Sequence, residues 1–140
     1  MEIFKRNLLN FKDISKISFF LSILIISILL SVSIIKEYIS HIYYTEYQDA
    51  LKGKEQDIKN HISLLKKAVE FSPSNPDMLF KLGKAYIKEM SIVKDRKEKN
   101  RSYRNAKKSF QEALLRKPTY ERFWAAYAWY IGHNGEVENA

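Results

Sequence analysis

The stretch NPDMLFKLGKAY, residues 75–86, decides the fold when read with AKKSFQEALLRKP at residues 106–118. Ser72-Pro73-Ser74-Asn75-Pro76 stops the preceding helix ahead of this stretch. Leu79, Leu82, Gly83 and Tyr86 then keep a helical apolar period. In the second stretch Ala106, Phe110 and Ala113 fall at i, i+4 and i+7, and Pro118 stops the helix. Small and large residues alternate on both stripes. Two helices patterned in this way pack closely, so the pair predicts a helical hairpin.

The same pattern recurs on either side. Leu65, Ala68 and Pro73 return as Phe110, Ala113 and Pro118, and Leu79, Leu82-Gly83 and Tyr86 return as Trp124, Tyr127-Ala128 and Ile131, each displaced by 45 residues. Ala140 stands 34 residues after Ala106, and Gly135 precedes it at a G-x₄-A spacing. With Leu79 in place of the usual Trp, the W-x₂-L-G-x₂-Y series and the following Ala-Phe-Ala-Pro series resemble the tetratricopeptide repeat family, whose period is 34 residues. The 11 additional residues lie between Tyr86 and Ala106. His61, Leu65, Ala68 and Pro73 match the second helix of an earlier unit, with His61 at a normally small position; residues 36–53 take the place of its first helix without carrying the signature.

The resemblance implies an all-α fold, a short α-solenoid of helical hairpins, and a protein-binding scaffold. In that family the first helices line a concave groove. The groove residues implied here are Phe80 and Lys84, with Asp77 and Ile87, in the middle unit, and Arg122 and Trp129, with Ala125, in the last. Trp124, Tyr127, Ala128 and Ile131 are expected to be core.

An apolar run at residues 17–35, ISFFLSILIISILLSVSII, carries no charge over 19 residues. As a helix it rises about 28 Å, close to the ~30 Å hydrocarbon core of a bilayer, and predicts one transmembrane span. Ser31-Val32-Ser33 resembles a signal-peptidase site, but the run exceeds the usual apolar core of a cleaved signal, which favours a retained signal-anchor. Lys5, Arg6, Lys12 and Lys16 precede the span, against Lys36, Lys52 and Lys54 after it. The positive-inside rule then places the N-terminus in the cytoplasm and the C-terminal domain outside it. Lysine- and isoleucine-rich usage suggests an AT-rich bacterial genome. The expected location is a bacterial inner membrane, with the domain in the periplasm.

The expected organisation is a basic flank at 1–16, the span at 17–35, a helical stalk at 36–53 and the repeats at 54–140. The middle hairpin at 76–118 carries the insertion at about 91–101. With no Gly or Pro before Gly53, the span is expected to continue into the stalk without a joint.

Of a net charge of +8, a surplus of six sits at residues 94–108, which hold eight basic residues and two acids. Lys94, Arg96, Lys97, Lys99, Arg101 and Arg104 would form a basic tip to the lengthened hairpin. This patch supports an alternative reading, a lipid- or polyanion-binding module, with nucleic acid disfavoured outside the cytoplasm.

The chain has no cysteine, which excludes disulfides, thiol nucleophiles and a lipoprotein anchor. His41, His61 and His133 lie in separate segments without carboxylates at ligand spacing, and no phosphate-cradling loop, nucleophile elbow or HExxH is present. No catalytic, metal or cofactor residue and no small-molecule substrate is expected. The sequence reads as a membrane-anchored scaffold for protein–protein interaction in assembly of a cell-envelope complex, with protein partners at the membrane or a second copy of itself.

Overall fold

The structure is a computed structural model that describes residues 2–52 and 57–134, with side-chain environments for residues 16–52 and 57–132. Gly53 and the Gly135/Ala140 spacing lie outside the described residues, as do the side chains of residues 1–15 of the basic N-terminal flank. Among the described residues five helices follow in order: α1 (Glu2–Lys52), α2 (Ile58–Phe71), α3 (Pro76–Ile92), α4 (Arg96–Arg116) and α5 (Glu121–Asn134). The chain is all-α, an N-terminal transmembrane helix followed by a short solenoid of tetratricopeptide-type hairpins. It divides into two units, Met1–Lys36 and Glu37–Ala140.

In the first unit the apolar run is helical, and its large side chains from Ile17 to Ile35 are exposed. The window that marks the span has a mean hydropathy of 2.7. Two of its serines satisfy their hydroxyls within the helix. Ser22 donates to the Ser18 carbonyl at 2.9 Å and Ser31 to the Ser27 carbonyl at 2.8 Å, so neither hydroxyl needs water or a second helix in lipid.

In the second unit residues 37–52 of α1 pair with α2, α3 pairs with α4, and α5 packs on the last hairpin. Local chemistry sets each boundary. Asp57 accepts from the N–H groups of Lys59 and Asn60, and Asn75 from those of Asp77 and Met78, ahead of Pro76. At the far end of α2 the Ala68 carbonyl accepts both the Ser72 N–H and the hydroxyl of buried Ser40, at 2.7 Å, which ties α1 to the end of α2.

The core runs through Leu65, Leu82, Tyr86, Ala106 and Phe110 and continues through Leu79, Ala113, Leu114 and Phe123. The reason for Gly83 is direct. A Cβ built there would stand 2.8 Å from the Phe110 ring, inside van der Waals contact. The small residue on α3 and the large one on α4 are two halves of one contact.

One expectation gains detail and one changes. The middle hairpin is lengthened as expected, and most of the lengthening lies in α4. α3 ends at Ile92 and Asp95 already caps α4, accepting from the Glu98 N–H at 2.8 Å, so the turn is short and most of the insertion is helical. No Gly or Pro in the insertion opposes this, and α4 reaches 21 residues against 14 in α2. In α5 the expected core stripe is rotated. Phe123 is buried and Tyr127 and Tyr130 are half-buried, whereas Trp124 is 52% exposed and Ala128 is exposed. Phe123 stacks on Phe80 at 4.5 Å, Tyr130 stacks on Phe110 at 5.8 Å, and these aromatic contacts set the rotation.

Candidate functional site

The helices that come first in each hairpin, α1, α3 and α5, together with the start of α2, enclose a groove of about 360 Å³. Leu51, Ile58, Ala85 and Ile87 make it apolar, Tyr47 and Tyr130 stand on its flanks, and Lys84, Lys88 and Ser91 contribute polar groups from α3. Among the described residues no carboxylate lines it. Burial raises the Tyr47 phenol above the ordinary tyrosine value, with a smaller contribution from neighbouring Tyr44, so at neutral pH this wall is an uncharged hydroxyl.

His61 is 3% exposed on the groove floor, edge-on to the Tyr47 ring with centroids 5.7 Å apart. Its Nε2 is buried and has no hydrogen-bond partner among the described residues. It replaces the small residue of the repeat pattern, and its ring fills space between α1 and α2 that such a residue would leave. The substitution was legible in the sequence. Its position under a groove was not.

Of the residues expected to line the groove, Lys84 and Ile87 do so, Lys84 exposed and Ile87 half-buried. Phe80 is turned into the core, between Phe110 at 5.4 Å and Phe123. Arg122 and Trp129 are exposed on α5, and the α5 residue in the groove is Tyr130, whose ring meets that of Trp129 edge-on at 4.8 Å. The structure therefore does not bring Phe80, Lys84, Arg122 and Trp129 together. Sequence reasoning missed Tyr47, His61, Ile87's neighbour Lys88, and Tyr130, because each depends on the rotation of a helix about its axis, which a degenerate or aromatic-rich pattern does not specify.

The basic residues form a separate feature. Lys94, Arg96, Lys97, Arg101 and Arg104 are exposed and Lys99 is half-buried. Lys97, Arg101 and Arg104 border a depression of about 620 Å³ with Asp95, Glu98 and Asn105.

A profile of the family described as plant-specific mitochondrial import receptor subunit TOM20 matches residues 38–128, more than half of the chain and nearly all of the helical-hairpin unit. The chain belongs to this family. No curated protein and no solved structure matches it. The TOM20 family is built from tetratricopeptide-like hairpins, in agreement with the repeat register, and it is a receptor family and not an enzyme family. It overturns the bacterial assignment, and with it the inner-membrane, periplasmic location and the envelope-assembly role. The errors have a physical origin. Lysine and isoleucine usage follows base composition and carries no lineage information, and the positive-inside rule compares the two flanks of a span without naming the membrane.

Proposed function

We propose that the chain is a membrane-anchored protein-import receptor that holds short segments of client proteins in the groove between α1, α3 and α5. The observation that carries this reading is the groove itself, an apolar trough built from the first helices of successive hairpins, in a chain of an import-receptor family that also carries a membrane span. An amphipathic client segment would bury its apolar side against Leu51, Ile58 and Ile87. Its flanking carboxylates or backbone carbonyls would face Lys84 and Lys88. The rings of Tyr47 and Tyr130 supply flat, stiff surfaces suited to varied sequences. The domain then faces the compartment from which its clients arrive.

The test uses the full chain reconstituted in nanodiscs, with a photo-reactive side chain introduced at Ile87 and, as the control, at exposed Glu70 on α2. Client segments should crosslink from Ile87 and not from Glu70, and Ile87→Asp should lower client affinity at least tenfold. Equal crosslinking from both positions would remove the groove from the mechanism.

A further inference from the structure

Four cations stand in one row on the outer face of α4. Lys97, Arg101, Arg104 and Lys108 fall at i, i+4, i+7 and i+11, within an arc of roughly 60° at 100° per residue, and all four are exposed. The opposite face of the helix, Ser102, Tyr103, Ala106, Ser109, Phe110 and Ala113, is buried in the solenoid. None of the four makes an ion pair with a described residue. The carboxylates nearby are otherwise engaged or set to one side: Asp95 caps the helix, Glu98 lines the same depression, and Glu112 faces Arg116 at 3.8 Å.

The row does not end in more charge. Leu115 lies five helical turns beyond Lys97, on the same line, and is 80% exposed. Beside it Trp124, Leu114, Pro118 and Tyr127 border an apolar depression of about 610 Å³. Trp124 is half exposed, its indole N–H donating to the Pro118 carbonyl at 2.8 Å. A helix face with basic side chains along most of its length and an exposed leucine and tryptophan at one end has the composition of an interfacial membrane contact, cations for anionic headgroups and an apolar wedge for the acyl boundary. Tryptophan prefers that boundary.

We infer that the outer face of α4 docks on a bilayer that contains anionic lipid, with Lys97, Arg101, Arg104 and Lys108 against the headgroups and Leu115 and Trp124 at the interface. An acidic protein surface would use the cations equally well. It would leave the exposed leucine and indole without a role, and the chain carries its own membrane span, which keeps a bilayer at high local concentration. The row lies on α4, which contributes nothing to the groove lining, so docking and client binding are separable.

Trp124 and Trp129 are the only tryptophans, which makes a direct reading possible. The full chain with Trp129→Phe leaves Trp124 as the sole reporter. It is reconstituted in vesicles of brominated phosphatidylcholine, alone or mixed about 2:1 with phosphatidylserine. Quenching of Trp124 should be at least twofold greater in the anionic vesicles. It should fall to the neutral-vesicle level in about 0.5 M salt, where the Debye length is only a few ångströms, and in the Lys97→Glu, Arg101→Glu, Arg104→Glu variant. Leu115→Asn, which leaves every charge in place, should reduce it as well; helicity by circular dichroism verifies that both variants are folded. Equal quenching in the two lipids, or none in either, overturns the proposal. So does a soluble polyglutamate that binds the row while Trp124 stays unquenched in anionic vesicles, which would assign the face to an acidic protein.

Discussion

Helices α3 and α5 occupy equivalent places in consecutive units and bury different faces. In α3 the repeat residues Leu79, Leu82, Gly83 and Tyr86 are all buried, because α2 and α4 press on the helix from two sides. In α5 the equivalent positions Trp124 and Ala128 are exposed, while Phe123, which the repeat pattern does not mark, is 2% exposed. Among the described residues α5 has neighbours on one side only. A repeat motif specifies which side chains can be buried between two helices. It buries them only where both helices are present, and elsewhere the strongest local contact, here the stack of Phe123 on Phe80, decides the rotation.

The comparison can be broken most severely at the residue that belongs to both helices. Phe110 receives the Gly83 backbone on one side and the Tyr130 ring on the other, and it is 1% exposed. Phe110→Ala should cost about 3–5 kcal/mol, measured by urea unfolding of the full chain in detergent micelles. The tryptophan signal from α5 and the circular dichroism of the hairpins should shift together.

The contrast between equivalent positions is sharper. Gly83→Ala places a methyl 2.8 Å from the Phe110 ring and should destabilise by about 1–3 kcal/mol. Ala128→Leu, at the same register position in α5, enlarges an exposed side chain and should stay within about 0.5 kcal/mol of the parent. Equal costs in the two variants would show that α5 is packed like α3 in solution. Next in size is Asn75→Ala, which removes the acceptor for the N–H groups of Asp77 and Met78 and should cost about 1 kcal/mol.

The smallest effect is confined to alkaline pH. The Tyr47 phenol titrates above its unfolded value of about 10, so above that pH the unfolded chain has lost a proton that the folded chain still holds, and stability falls as pH rises. Below it the contribution is fully present. Tyr47→Phe should flatten this loss, seen as a smaller drop in urea midpoint between pH 9 and 11 than in the parent, on the order of a few tenths of a kcal/mol.

Much of the fold was legible for a simple reason. The Ser72–Pro76 break, the Leu82-Gly83 pair and Pro118 act through backbone geometry and local sterics, which do not depend on distant residues. The apolar run at 17–35 was legible in the same way, since length and hydropathy alone set its solvent. The candidate site was legible only in part. Lys84 was placed in the groove by helical phase, but Phe80, one turn earlier, faces Phe123, and Tyr130 and not Trp129 reaches the groove. These assignments turn on the rotation of a helix about its axis, and an aromatic-rich helix such as α5 offers several apolar faces of similar strength.

The sequence by itself therefore determined the helices, their order, the membrane span and the Gly83–Phe110 type of close packing, because each follows from local chain chemistry or from a repeated register. Only the tertiary structure decided which way α5 turns, that the basic residues of the insertion form a row along α4, and that His61 lies beneath a groove with a nitrogen unpartnered among the described residues. Those outcomes rest on competition between faces for a limited number of neighbours, and the winner is set by what packs against each helix in three dimensions.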